Sequence, residues 1–529
     1  MEKEGVYVKT LYENGKILTM ESPWPAEALI EEEGKIRFVG RRQEALSLLS
    51  SGDKRKDLCG HILMPGFVDG HSHLTGCASA LSMVQLGECR NYREITERIE
   101  RFIREHNIPA GKWVCATGYD HTLLVEKQHP TRELLDFFSQ NPVVITHQSG
   151  HMGVVNSLGL KEMGIEPDTP DPTGGQIGRD KAGIPNGYLE ETAFTRISQV
   201  IPPPPEEERI KAIQKAEEEY LRQGFTTIQD GLIGERDWKI LRRMDQAGKL
   251  RADVVCYHSL EDTPFLSDKN PAYDRRYGNH LKLGGYKVFL DGSPQGKTAW
   301  LSQPYEGEES YRGYSAHTDQ QVFSFMKKAL EDNRQILVHC NGDAASAQMI
   351  HCYRRALEQT GCPGIRPVMV HAQTVRRDQL AEMAALSMMA SFFVAHVFHW
   401  GDIHLQNLGE RGRQISPLAS AAQAGVCFTL HQDSPVLPPD MWQSIWCAAA
   451  RVTRSGEKLE PKERISVYEA LKAATINGAC QYFEEGEKGS LRPGKRADMI
   501  VVEPNPLECP LEALREMRVL ETIKDGKTV

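Results

Sequence analysis

Apolar positions in this chain fall into two patterns, short continuous runs and longer stretches with a helical period. Eight runs carry the β-rich signal: Phe67-Val68, Thr226 to Ile228, Val254 to Tyr257, Tyr286 to Leu290, Ile336 to Val338, Val368 to Val370, Met388 to Phe393 and Val426 to Leu430. Between them lie helix candidates, among them Glu206 to Arg222, Asp319 to Asp332 and Val467 to Gly478. Alternation of apolar runs with helical stretches predicts an α/β chain whose core is a TIM-like (β/α)8 barrel. The interval between the first and second runs is far too long for one helix. Residues 84–200 are therefore expected to form an inserted α+β subdomain, with its own strand over Pro142 to Thr146 and a Gly/Pro-rich stretch from Pro167 to Gly187. Long insertions at the C-terminal face of a barrel usually build substrate pockets.

The two ends of the chain have a different texture. Val6 to Tyr12, Ala28 to Ile30 and Ile36 to Gly40 are separated by turn residues such as Glu13-Asn14-Gly15-Lys16, a hairpin pattern. Ala497 to Val502, after Arg492-Pro493-Gly494-Lys495, reads the same way. These ends are expected to pair into one small composite β-sandwich made of residues 1–64 and 484–529, beside a barrel of residues 65–483. The run Pro202 to Pro205 reads as a stiff linker into the following helix.

Composition narrows the class. At 529 residues and 40% hydrophobic, the chain can bury a large core and form more than one domain. The net charge of −9, without a basic stripe carrying interleaved aromatics, argues against nucleic acid as a partner. No apolar run approaches the roughly 20 residues of a membrane span. The opening Met1 to Gly5 lacks the apolar segment of a signal peptide. A cytoplasmic chain without a membrane partner is expected. The 12 cysteines are scattered and none forms a Cys-X-X-Cys pair, so packed reduced thiols, Cys340 included, are expected rather than a disulfide framework.

Candidate chemistry sits at the ends of the apolar runs. His71 and His73 follow the first run one residue apart, and alternate residues of a strand face the same side, so both imidazoles can grip one metal ion. Lys287 lies within the fourth run, His339 ends the fifth, His371 ends the sixth, and Asp433 follows the eighth. Any one of these has an ordinary structural explanation; together they keep phase with the rim of a barrel, where catalytic residues gather. Neutral imidazoles and a carboxylate suit Zn²⁺, as one ion or two, with a position left for water. The metal brings the pKa of that water toward about 7. Asp433 is the candidate to take the proton during attack and return it to the leaving group. A buried lysine is costly as an ammonium ion, and a carbamylated Lys287 would be an anion able to bridge two metals.

At this point the chain resembles the amidohydrolase superfamily, and within it the amidohydrolase-3 branch of YtcJ-like proteins that includes N-substituted formamide deformylases. The likeness spans nearly the whole sequence. It is carried by Met64-Pro65-Gly66-Phe67-Val68-Asp69-Gly70-His71-Ser72-His73, Tyr286 to Ser293, His339-Cys340-Asn341-Gly342-Asp343, His371-Ala372-Gln373 and Asp433-Ser434-Pro435-Val436. In the insertion it is carried by His129-Pro130-Thr131-Arg132, Ser149 to Ser157 and Gly187 to Glu191, and at the end by Gly489 to Asp498. The resemblance implies that His71, His73, His339, His371 and Asp433 are metal ligands or near-ligands, with Lys287 as the bridge. His431 departs from the small residue many relatives carry there, and is expected to support the site from behind. His396 and Asp291 are candidate substrate contacts, as are His147 and His151 in the insertion. The leading function is metal-dependent hydrolysis of a C–N bond in a small amide, N-substituted formamide or cyclic amide. A deaminase, a C–O hydrolase or isomerase, and a non-catalytic metal-binding regulatory protein are the alternatives. The expected partner is a small-molecule substrate, with a homodimer as the expected assembly.

Overall fold

The computed structural model describes residues 8–202, 204–361 and 364–529. Val6 and Tyr7 of the expected first strand, the opening Met1 to Gly5, and Pro203 of the proline run lie outside the described residues.

Each apolar run becomes a strand of one parallel sheet. In chain order the strands are Phe67–Val68, Phe225–Ile233, Asp253–Ser259, Leu281–Phe289, Gln335–Cys340, Val368–His371, Met389–Phe392 and Phe428–Leu430. Sequential strands are spatial neighbours throughout, and every pairing is parallel. The last strand returns to the first. His73 N donates to Ser434 O at 2.8 Å and Asp433 N to His71 O at 3.3 Å. A Cβ on Gly70 would run into Thr429 and the carbonyl of Leu430, so glycine is what lets these two strands meet. The result is a (β/α)8 barrel.

Local chemistry sets the helices. Glu206–Arg222 is helical over the expected residues. Asp319–Glu331 starts in a capping box between Thr318 and Gln321, and buries Val322, Met326, Ala329 and Leu330 along one stripe. The single helix expected over Val467 to Gly478 is instead two, Val467–Ala473 and Ile476–Gln481. The break is at Thr475, which leaves helical dihedrals (φ −133°, ψ −90°) while its hydroxyl donates to Leu471 O at 2.7 Å. A local bond of that kind competes with the helical ladder.

The chain divides into two compact units, Gly76–Ile213 and the remainder, which runs up to Thr75 and from Gln214 to Val529. Residues 84–200 lie inside the first. Its mixed sheet has the order Gly175–Arg179, Pro185–Glu191, Met152–Val155, Val143–His147, Val114–Tyr119 and Val84–Gln85. Alternate residues feed two cores. Val143 and Ile145 join a cluster with Ile95 and Ile99 of the helix Tyr92–Glu105, whereas Val144 packs with Leu160 and Leu189.

In the other unit both chain ends share a sandwich beside the barrel strands. One sheet has the order Lys35–Gly40, Ala28–Glu32, Thr10–Glu13 and Lys54–Asp57. The second runs Lys16–Ile17, Ile62–Pro65, Met499–Glu503, Arg518–Lys524 and Lys527–Thr528, with Leu63 opposite Val501. Tyr12, Leu29, Leu63, Met499 and Ile523 pack between the two sheets. Asp253, at the start of the third barrel strand, is fully buried among cations of the C-terminal segment: Lys488, Lys524 at 3.1 Å and Arg496 at 3.3 Å.

Candidate metal centre

Five of the predicted residues come together at the carboxyl ends of the barrel strands. Asp433 is the hub. His73 Nε2 stands 3.4 Å and His71 Nε2 3.6 Å from its Oδ1, and His371 Nε2 is 3.9 Å from its Oδ2. Lys287 Nζ lies 3.2 Å from His71 Nε2. Ligand atoms of His71, His371 and Asp433 all fall within 4.8 Å of one another. Lys287, His71 and His371 are buried, while His73 and Asp433 keep 25% and 14% of their side chains exposed, so the cluster opens on that side.

Backbone strain marks the same rim. His371, Ala372 and Asp433 adopt φ of +72°, +49° and +55°. Left-handed backbone at non-glycine residues costs on the order of 1–3 kcal/mol each and concentrates at functional sites. Here it turns the chain just as the sixth strand ends and just after the eighth.

A second tier of side chains aims the imidazoles. His71 Nδ1 meets Gln229 Oε1 at 2.5 Å, and Gln229 Nε2 is anchored to Gly70 O and Tyr482 Oη. With its proton on Nδ1, His71 turns an Nε2 lone pair toward Asp433 and Lys287. His371 Nδ1 meets His431 Nε2 at 3.1 Å, and His431 Nδ1 meets Ser391 Oγ at 2.8 Å, which in turn accepts from Thr429 Oγ1 at 2.9 Å. Asp69 holds the His-X-His turn itself, accepting from His71 N at 3.2 Å and from Ser72 Oγ.

The electrostatics favour metal-ready protonation states. Burial drives His71 and His371 well below the usual imidazole range, and the nearby Lys287 and His339 charges respectively push the same way. Burial lowers Lys287 to about 7 against the pull of Asp433. Burial alone would raise Asp433, but its contact with His73 and the imidazoles of His371 and His71 outweigh it and hold the carboxyl well below its ordinary value. Asp433 Oδ1 is nonetheless buried without a hydrogen bond of normal geometry. An orphaned carboxylate oxygen facing convergent imidazole nitrogens is what a site built for a divalent cation looks like before its ion is added.

The other predicted residues are placed differently. His339 packs against His371, with ring centroids 4.5 Å apart, and its Nε2 lies 3.2 Å from Gly292 O and 3.7 Å from Asp291 Oδ1. Asp291 accepts from the backbone amides of Asn341, Gly342 and Trp300, at 3.0, 2.7 and 3.0 Å, so it organises the loops around His339. His396 pairs through Nδ1 with His404 Nε2 at 3.0 Å and meets the Phe393 ring edge-on. His151, in the other compact unit, meets Glu191 at 2.9 Å, and His147 there contacts His121 and Ser149. Gln229 and Ser391 escaped the sequence reading. Ser391 is the one polar residue of its strand, which is a signal the sequence offers, whereas Gln229 sits among Thr226, Thr227 and Asp230 and nothing local sets it apart. Cys340 is buried with its Sγ near Ala345 O, and among the described residues no cysteine is in a disulfide.

A barrel with imidazoles and a carboxylate converging on its C-terminal rim defines the class, a metal-dependent hydrolase. The amidohydrolase family model matches residues 56–529, and the chain belongs to that family. It is 28% identical over 515 residues to the N-substituted formamide deformylase of Arthrobacter pascens, covering 95% of this chain and 94% of that protein. Among solved structures it is similar to an uncharacterized metal-dependent hydrolase from Pyrococcus horikoshii, with a TM-score of 0.78, 25% identity, and coverage of 95% of this chain and 99% of that one. A metal-dependent hydrolase from Pyrococcus furiosus is similar at a TM-score of 0.76 and 25% identity, over 94% of this chain and 100% of that one. Among the described residues no helix is long and apolar enough to cross a membrane.

Proposed function

We propose that the protein hydrolyses a C–N bond in a small amide, N-substituted formamide or cyclic amide. The observation that carries this reading is Asp433 Oδ1, buried, unbonded and 3.4 to 3.6 Å from two imidazole nitrogens at the barrel rim. The 28% identity to a formamide deformylase over almost the full length supports the substrate class.

His71, His73, His371 and Asp433, with His339 packed against His371, would hold one or two ions, zinc being the metal this donor set suits best. Lys287, whose amine is near half-neutral at pH 7, would add to CO₂ with loss of a proton and serve as a bridging carbamate between two ions. A divalent ion at this site supplies Lewis acidity, polarising the amide carbonyl and making water acidic enough to attack near neutral pH. Asp433 Oδ1 then accepts the proton that water gives up as its oxygen bonds to the carbonyl carbon. The C–N bond breaks, the same oxygen passes the proton to the leaving nitrogen, and acid and amine are the products. Gln229 keeps the proton of His71 on Nδ1 throughout, and the His431–Ser391 pair does the same service for His371. The substrate is a small molecule.

The test is elemental analysis of the purified protein followed by a panel of N-formyl, N-acyl and cyclic amides. Turnover of at least one amide, lost on chelation and restored by Zn²⁺, is expected. A fully metal-loaded protein that turns over none of them would rule the proposal out.

A further inference from the structure

A second group of ligand-type side chains lies in the unit Gly76–Ile213 and shares no residue with the barrel centre. Asp120 and His121 follow the strand Val114–Tyr119, and His147 ends the strand Val143–His147. These two strands are parallel neighbours, with His147 opposite Tyr119, so all three side chains leave from the same carboxyl edge. Ligands of open sheets bind outside that edge.

The distances suit an ion. His121 Nδ1 and His147 Nε2 are 3.2 Å apart. Two nitrogens sharing a tetrahedral ion at about 2.0–2.1 Å each stand about 3.3 Å apart. Asp120 Oδ1 lies 3.8 Å from His147 Nε2, and ligand atoms of the three residues fall within 4.8 Å of one another. His147 and Asp120 are only 3% and 8% exposed, so surface mobility does not explain the grouping.

The surroundings orient each ligand. Asp120 Oδ1 accepts from Thr122 N at 2.9 Å and Thr122 Oγ1 at 2.6 Å, which fixes the carboxylate. His147 Nδ1 is 2.9 Å from Ser149 Oγ; donating there leaves the Nε2 lone pair for a cation. The amide of Ser149 also approaches that nitrogen, at 3.1 Å, so the opposite tautomer, with Nε2–H bonded to Asp120 or His121, is the purely structural alternative. His129 closes the far side, stacked on His121 with centroids 3.9 Å apart and tied through Nδ1 to Tyr119 Oη at 3.0 Å.

We infer that Asp120, His121 and His147 form a second binding site for a divalent transition-metal cation of the zinc class, separate in its residues from the barrel centre. Two imidazoles and one carboxylate leave coordination positions open.

The experiment uses the full-length protein, stripped with chelator and reloaded with Zn²⁺ or Co²⁺. Metal content is measured by plasma spectrometry for the wild type, His121→Ala/His147→Ala and His71→Ala/His73→Ala, with circular dichroism to confirm folding. Each double variant should lose its own complement of metal and keep the other's. Anomalous diffraction from Zn²⁺-soaked wild-type crystals should show a peak between His121 and His147 as well as at the barrel rim. Asp120→Asn, which preserves shape, should weaken the inserted site's Zn²⁺ affinity at least about tenfold and provides the measurement if the double variant does not fold. Anomalous density at the barrel rim alone, or unchanged metal content in folded His121→Ala/His147→Ala protein, would overturn the inference and leave a hydrogen-bonded histidine cluster.

Discussion

Asp433 holds a left-handed backbone, φ +55°, three residues past the last barrel strand, and so brings its carboxylate within 3.4 to 3.9 Å of three imidazoles. In the proposed site the imidazoles would supply most of the metal affinity, and Asp433 would be the base for the attacking water. Asp433→Asn keeps shape and one acceptor oxygen but removes the base. Its kcat on a confirmed amide should fall by about 10² to 10⁴, while metal stoichiometry stays near that of the wild type. Near-normal kcat would move the proton transfer to another group. Gln229 acts at one remove. Gln229→Leu deletes the acceptor that holds the proton on His71 Nδ1, and loss of such outer partners typically costs 10- to 100-fold in metal affinity or activity. Competition with a chromophoric chelator measures this; an unaltered Zn²⁺ affinity would show that His71 needs no such support.

At the scale of elements, the candidate ligands gather because the strands that carry them all leave the barrel at one rim. That much was legible in the chain, since apolar runs and the residue just after each are local features. Close passage between elements was not legible. A Cβ on Gly231, at the end of the second strand, would strike the His71 ring. Gly231→Ala should therefore displace that imidazole and lower bound metal, with the far-ultraviolet circular dichroism unchanged. Retention of full metal content in the folded variant would mean that the strand end yields instead of the histidine. The two short helices in place of one over Val467 to Gly478 make the same point. Periodicity ran on through Thr475, and only a hydroxyl-to-carbonyl bond ended it.

For the whole molecule, the C-terminal segment is tied to the barrel through buried charge. Asp253 is fully buried among Lys488, Lys524, Arg496 and His280. Removing one partner of such a set strands the others, and Asp253→Ala should cost about 3–5 kcal/mol, read as a drop in the denaturant midpoint; a loss under about 1 kcal/mol would contradict the role. The pH dependence has a definite sign. Burial lowers His404 to about 3, so it stays neutral in the fold but protonates when unfolded below about 6.5. Burial would raise Asp253, but Lys488 and Lys524 outweigh it and hold the carboxyl well below its usual value. Both groups bind more protons unfolded, so stability is complete above their unfolded pKa values and is lost as pH falls. His404 contributes from about 6.5 downward and Asp253 below about 3.9. Through His404 the thermal midpoint should decline from pH 7 to pH 4, and through Asp253 it should decline further below that. A midpoint that rises on acidification would refute the assignment.

Strand positions, the polarity with which each strand exits, and the residue waiting at each exit are set within a few positions of the chain, and for this protein the sequence by itself determined them. His71, His73, Lys287, His371 and Asp433 could be named on that ground because phase along a strand is a short-range property. Which nitrogen each imidazole presents was decided only by the tertiary structure. His71 takes its orientation from Gln229, 158 residues away, and His371 takes its own from His431, 60 residues away. Asp291 is drawn into three backbone amides of other loops, His396 into His404, and His121 toward His147 across a strand pair. Protonation and rotamer depend on burial and on partners that folding alone brings within reach, so no pattern along the chain could have specified them.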